Sequence, residues 1–208
     1  MNAPSHLAAN TGYSTDFVAG VLADALDNGC RTYAIAGLQG TGKSTLVAQV
    51  VALAASRGVR AVALSIDDFY LTHAQRQALA RRVHPLCATR GPPGSQDIPL
   101  ACATIDALRD GRPTALPRFD KIDDDRLPRA QWRVAQRADL IILEGWFLKV
   151  PPQADIELAD PINALERDED AQGIWRRWSN GALEIDCPPL WSRLDRLGFL
   201  QGPGFDIV

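Results

Sequence analysis

The chain has 208 residues, 46% apolar and 23% charged, with 22 basic residues against 25 acidic ones and a formal net charge of −3. That length allows one domain with a substantial core, and the composition is that of a folded soluble protein. The charge balance gives no electrostatic case for nucleic acid or an anionic membrane as partner, and no apolar run approaches the ~20 residues of a membrane helix.

The opening residues, 1–13, lack the basic and apolar regions of a secretion signal and read as a flexible leader. From Ser14, apolar residues Phe17, Val18, Val21, Leu22, Ala25 and Leu26 recur at helical spacing, Ser14 or Thr15 can cap, and Asn28-Gly29 stops the helix. Next comes "RTYAIAG", a buried strand, then the loop "LQGTGKST" and an apolar-faced helix to about Arg57. The spacing of Gly37, Gly42, Lys43 and Ser44 fits G-x-x-x-x-G-K-[ST]. In that pattern glycines let the backbone approach a phosphate, and N–H groups at the helix start make an anion site. Gly37, Gly40, Thr41, Gly42, Lys43, Ser44 and Thr45 are therefore expected to bind a nucleoside triphosphate, Lys43 reaching its outer phosphates and Ser44 holding Mg2+.

After Gly58, "VRAVALSI" is continuous and β-branched, as in a parallel strand covered on both faces, which gives a βαβ unit with a right-handed crossover. Asp67 and Asp68 follow at its carboxyl end, the edge where open α/β sheets bind ligands. A carboxylate there can take the proton of an attacking hydroxyl or hold Mg2+ through water. "THAQRQALARRV" reads as a short polar helix. "HPLCATRGPPGSQDIP" is too rich in Pro and Gly for helix or central strand, and its length marks a functional or disordered loop. "LACATIDALRDG" resumes as helix, "RPTALPRFDKIDDDRLP" as an irregular charged stretch, and "ADLIILEGWFL" as a buried strand. Glu144, directly after that strand's apolar run, has the position of a Walker-B-like residue that orients Mg2+ and its waters.

Residues 151–180 alternate loops with one acid-and-arginine helix around "PINALERDEDAQGIWRRWSNG", and the span 151–181 reads as a helical lid with Gly173 and Gly181 as hinges. Arg176 or Arg177 could close over a transferring phosphoryl group. The other basic candidates are Arg90, Arg118, Lys121 and Arg126, whereas His73 and His84 have no partner spacing and read as loop residues. The four cysteines Cys30, Cys87, Cys102 and Cys187 lie far apart without C-x-x-C, as reduced buried thiols that suit a cytoplasmic enzyme. The closing "GFDIV" looks like a helix just beginning, without a final strand. Nothing in the sequence sets an oligomeric state.

The order "GLQGTGKST", "SIDDFY", "RGPPGSQD", "LPRFDKIDDDR", "LIILEGWFLKV", "WRRW.N" and "LQGPGF" resembles the glycerate kinase branch of the P-loop small-molecule kinases, from about Arg31 to the last residue. Uridine kinase, pantothenate kinase and phosphoribulokinase are more distant relatives of that branch. The resemblance implies a three-layer α/β/α P-loop fold with a mostly parallel sheet, and ATP- and Mg2+-dependent conversion of D-glycerate to 3-phosphoglycerate. It also implies Asp67 as general base, Glu144 as the strand-end metal-orienting acid with Ser44, Lys43 in the P-loop, and Arg176 or Arg177 as the lid arginine. Asp68 and Tyr70 then fall beside the acceptor. A carboxylate substrate calls for an arginine clamp, drawn from Arg90, Arg118 or Arg126, with Lys121 nearby. Two departures stand out: Ser95-Gln96 replaces a usual Thr-His, and the family continues beyond "PGF", so the chain is expected to be shorter than that fold. The alternatives are a uridine- or pantothenate-type kinase and a non-catalytic ATP-binding regulator; loops richer in arginine, glycine and proline than in aromatics favour a small anionic acceptor.

Overall fold

The computed structural model describes residues 12–202, so residues 1–11 of the expected leader and the closing "GFDIV" lie outside the described residues. Gly12 and Tyr13 belong to the fold rather than to a leader. The Tyr13 backbone exchanges hydrogen bonds with the Gln49 side chain at 2.9 and 3.0 Å.

Helix α1 (Thr15–Leu26) is capped by the Ser14 side chain, which accepts from Phe17 N. Strand β1 (Thr32–Gly37) leads through the glycine loop into α2 (Lys43–Ser56), followed by β2 (Ala61–Ser65). Strand β7 (Leu140–Gly145) and a fourth strand, β8 (Arg196–Leu200), complete one all-parallel sheet in the order β2-β7-β1-β8. β7 lies between β1 and β2, so the strands of the βαβ unit share the sheet without being neighbours. The strand β8 is one that the alternating, half-exposed "RLGFL" does not announce.

The alternation of strand side chains makes the layers. Tyr33, Ile35, Leu140 and Ile142 pack on Val18 and Leu22 of α1 and Leu46 and Val50 of α2. The intervening Ala34, Ala36, Ile141 and Leu143 pack on the other side with Ile105 and Leu108 of α4 (Ile98–Arg109) and Leu190 of α7 (Pro188–Trp191). The result is a three-layer α/β/α sandwich with the core in two sheets of side chains. Among the described residues no helix is long and apolar enough to cross a membrane, and all four cysteines are free and buried.

Between β2 and β7 the chain is more regular than its composition suggests. Helix α3 (His73–Arg82) carries a Thr72/Gln75 capping box. The Pro-rich stretch contains a tight turn over Pro85–Ala88 and ends inside α4, where Pro99 occupies the first turn and needs no N–H partner. The charged stretch forms two small antiparallel ribbons, β3 (Thr114–Ala115) with β6 (Val134–Ala135) and β4 (Phe119–Asp120) with β5 (Asp125–Arg126). The acid-and-arginine region is two helices, α5 (Ala164–Glu169) and α6 (Ile174–Gly181), broken at a left-handed Gly173. Gly181 is helical and runs on into the turn at Ala182–Asp186, so it marks no break.

Candidate active site

The glycine loop hangs on β1 and caps α2. Gly42 holds φ 80°, a conformation costly for any residue with a Cβ, and turns the chain into the helix. Gly37 serves differently, because a Cβ there would lie 2.6 Å from the Leu200 carbonyl of β8; its missing side chain lets the strand pair approach. The loop is braced by Thr41, whose Oγ1 donates to Leu38 O at 2.8 Å, and by Tyr13, whose hydroxyl donates to Thr41 O. Lys43 is buried and donates to Leu38 O at 2.6 Å. Burial pushes its ammonium pKa down, against the raising fields of Glu144 and Asp67, while Lys121 lowers it further.

Sheet register places the acids. Glu144 sits opposite Ile35 on β1 and Ser65 on β2, and so reaches the loop: Ser44 Oγ donates to Glu144 Oε1 at 3.3 Å. Asp67 lies in the turn Ile66–Phe69 that ends β2, its N–H on Ser65 Oγ at 3.3 Å. Its Oδ1 accepts from the Tyr70 hydroxyl at 3.0 Å and its Oδ2 from Lys121 Nζ at 2.6 Å. Burial, followed by Asp67's charge, pushes the Tyr70 phenol well up, so it stays a donor. Asp68 points the other way, accepting from Phe119 N at 3.1 Å and facing Arg118 at 3.4 Å. Its burial raises its pKa despite those partners.

Two clefts meet at these residues. One, about 530 Å³, is lined by Gly40, Gly42, Lys43, Ser44, Thr45 and Trp146. The other, about 600 Å³, is lined by Asp68, Arg118, Phe119 and Ile122. Ser44, Asp67, Lys121 and Glu144 border both. A hydroxyl and two carboxylates converging here are hard oxygen donors that suit Mg2+.

The remaining candidates divide sharply. Arg118 and Lys121 reach the cleft; Arg90, Arg126, Arg176 and Arg177 do not line it. Arg126 spends its guanidinium on Tyr70 O and Asp97, and Arg90 on Asp124 and Lys121 O. Arg176 is 6% exposed and bound to Leu158 O, Ala159 O and Asp170, so as a phosphate-reaching lid arginine it is displaced by a packing role. Arg177 is exposed and donates to Gln172 O and Gly173 O. Gly37 and Thr41 shape the loop without lining the cleft, and Tyr70 touches Asp67 without lining either cleft. Sequence reasoning missed Tyr13 and Trp146: an aromatic in a leader and one after a strand carry no phosphate-site signal of their own.

The "RGPPGSQD" loop ties this site to the helical segment. Leu71 N donates to Ser95 O at 2.8 Å and Asp97 N to Phe69 O at 2.7 Å, joining the loop to the Asp67 turn. Ser95 and Gln96 are buried and brace Gly91 and Pro92. On the far side Ser179 of α6 donates to Pro93 O at 3.1 Å.

A parallel sheet with a glycine loop capping its first crossover helix, and strand-end acids facing that loop, defines a P-loop NTPase fold of the small-molecule kinase kind. Comparison with known proteins agrees. The chain is 29% identical over 184 residues to the uncharacterized kinase mug58 of Schizosaccharomyces pombe, covering 84% of this chain and 65% of that protein. It is 36% identical over 140 residues to the chloroplastic D-glycerate 3-kinase of Arabidopsis thaliana, covering 62% of this chain and 30% of that one. Among solved structures, the D-glycerate 3-kinase of Cryptococcus neoformans superposes with a TM-score of 0.70 at 25% identity, over 92% of this chain and 72% of that chain. The chain thus spans about a third to two thirds of the length of the curated relatives it matches. No family model matches. These likenesses support the glycerate kinase branch of the P-loop kinases, the same branch that the motifs resemble.

Proposed function

We propose that the chain transfers the γ-phosphoryl group of ATP to a hydroxyl of D-glycerate, giving 3-phosphoglycerate and ADP. The observation that carries this reading is the shared border of the two clefts: a general-base candidate, Asp67, stands where a cleft for phosphates opens into a second cleft that carries Arg118 and Lys121 among its acids. The N–H groups at the start of α2, with Lys43, would hold the outer phosphates. Ser44 and Glu144, with Asp67 close by, would hold Mg2+, which when bound neutralises charge on the phosphate oxygens. In the neighbouring cleft Arg118 offers the positive charge that a small carboxylate needs, with Lys121 nearby.

In the transfer step the acceptor hydroxyl gives its proton to Asp67 as its oxygen bonds to the γ-phosphorus. The bond from that phosphorus to the bridging oxygen breaks, and ADP leaves with the electron pair. Tyr70 holds Asp67 in place for this. The segment 151–181 is the proposed lid, linked to the acceptor side through Ser179 and Pro93, and closure would keep water from competing with the acceptor. The buried free thiols support work in a reducing compartment, the cytoplasm.

The test is a coupled ADP-release assay with ATP and Mg2+, offering D-glycerate, L-glycerate, uridine, pantothenate or no acceptor, on wild type and Asp67→Ala. Release should require D-glycerate and fall about 100-fold or more in the variant, as loss of a general base predicts. Equal release with every acceptor, or an unaffected variant, would overturn the reading.

A further inference from the structure

Phosphoryl transfer is accelerated by a cation on the phosphate oxygens beyond the P-loop lysine and the Mg2+. Among the described residues only Lys43 and Lys121 line the P-loop cleft as cations, and only Lys121 borders the acceptor cleft as well. Arg176 and Arg177 line neither cleft, so this further cation is sought among the residues that do. We infer that Lys121 is that cation: on binding of a nucleoside triphosphate its ammonium exchanges Asp67 for the γ-phosphate. This rests on the kinase reading above and deepens it.

The ribbon β4–β5 is built to present this lysine. Its base is fixed where Asp68 accepts from Phe119 N and Leu127 N donates to Arg118 O at 2.8 Å. Its tip is tied by Asp124, whose carboxylate pairs with Arg90 and with the fully buried Arg76. Asp120 accepts from Ile122 N and Asp123 N at 2.8 and 3.2 Å, closing the turn that follows Lys121, and Asp125 accepts from His73 N at 2.9 Å. Arg90 donates to the Lys121 carbonyl at 3.3 Å. A stretch that reads as a charge run is therefore a braced turn in which Asp120, Asp124 and Asp125 have structural roles. The Lys121 backbone is held, while its side chain stays 60% exposed at the cleft.

Its present partner is easily given up. The Lys121–Asp67 pair is open to solvent, and such pairs contribute little to stability. A triphosphate in the adjoining cleft offers more negative charge than one carboxylate. The exchange also frees Asp67 Oδ2, so the base can accept the acceptor's proton only once the phosphoryl donor is in place.

Titration calorimetry of wild type, Lys121→Met and Lys121→Arg with the Mg2+ complexes of a β,γ-imido ATP analogue and of ADP tests this independently of any acceptor. Lys121→Met should lose about 10- to 100-fold in analogue affinity, the value of a hydrogen bond to a charged group, with ADP affinity unchanged. Lys121→Arg should recover part of the loss, which also shows that the turn survives substitution. Equal losses for both nucleotides, or no loss, would overturn the inference. Selective loss without D-glycerate turnover would leave it standing and remove only the acceptor assignment. A wild type that binds neither nucleotide would sink both.

Discussion

Arg176 and Arg177 are neighbours in sequence with opposite fates. Arg176 is buried, and its guanidinium joins the turn at Asp155–Leu158 to Asp170 and α6. Arg177 lies at the surface. Arg176→Ala would leave the Asp170 carboxylate buried without its cation, which costs about 3–5 kcal/mol, whereas a surface change such as Arg177→Ala stays within about 0.5 kcal/mol. Urea unfolding followed by tryptophan fluorescence should show a large drop in midpoint for the first and almost none for the second; the reverse order would contradict the assigned roles. An arginine beside a tryptophan on a short helix reads the same in sequence whether it faces solvent or a buried carboxylate, so the pattern could not separate them. The P-loop residues and both strand-end acids were legible because their spacing is itself the chemistry: glycines, lysine and hydroxyl at fixed offsets, and a carboxylate where an apolar run stops. Lys121 was legible only as one charge among many, since its value comes from a fold in the ribbon.

At the scale of elements, the strong helices and long apolar strands read correctly, while short or half-exposed pieces did not. Two-residue ribbons carry too few positions to show a period, and β8 alternates half-buried and exposed residues around Gly198. What seats β8 is a charge just before it. Asp195 Oδ2 accepts from Arg31 N and Thr32 N at 2.9 and 2.8 Å and from Arg109 at 2.6 Å, tying the starts of β1 and β8 to the end of α4. Burial alone would raise this carboxyl, but those three donors prevail and hold it below the ordinary carboxylate range. The folded state therefore keeps Asp195 ionised at a pH where the unfolded chain has protonated it. Its contribution is present above about pH 4, the unfolded value, and is lost as pH falls through the depressed one. Asp195→Asn, which keeps the shape and removes the charge, should lower the urea midpoint at pH 7, and the gap to wild type should close as acid is added. A gap that is constant with pH would show that the charge is not what matters.

For the molecule as a whole, the fold class could be read from strand, glycine loop, helix and strand in succession, but strand order could not. Nothing local says that β7 will enter between two strands already made. The partner of Ile35 is Glu144, and the partner of Tyr33 on its other side is Arg196. A fragment covering 12–136 would hold α1, β1, α2 and β2, yet β1 would have no neighbour for any of its backbone groups. Such a fragment should show no cooperative urea transition by circular dichroism; a sharp one would mean that the first half folds alone. Pairing over such separations is slow compared with local helix formation. On a ribosome adding about 5–20 residues each second, β1 waits on the order of ten seconds for the strand that flanks it. During that interval an apolar ribbon of the chain stands with both edges open, so the intercalated topology that aligns Glu144 with the phosphate loop also makes the nascent chain a natural client for chaperones that shelter unpaired strands.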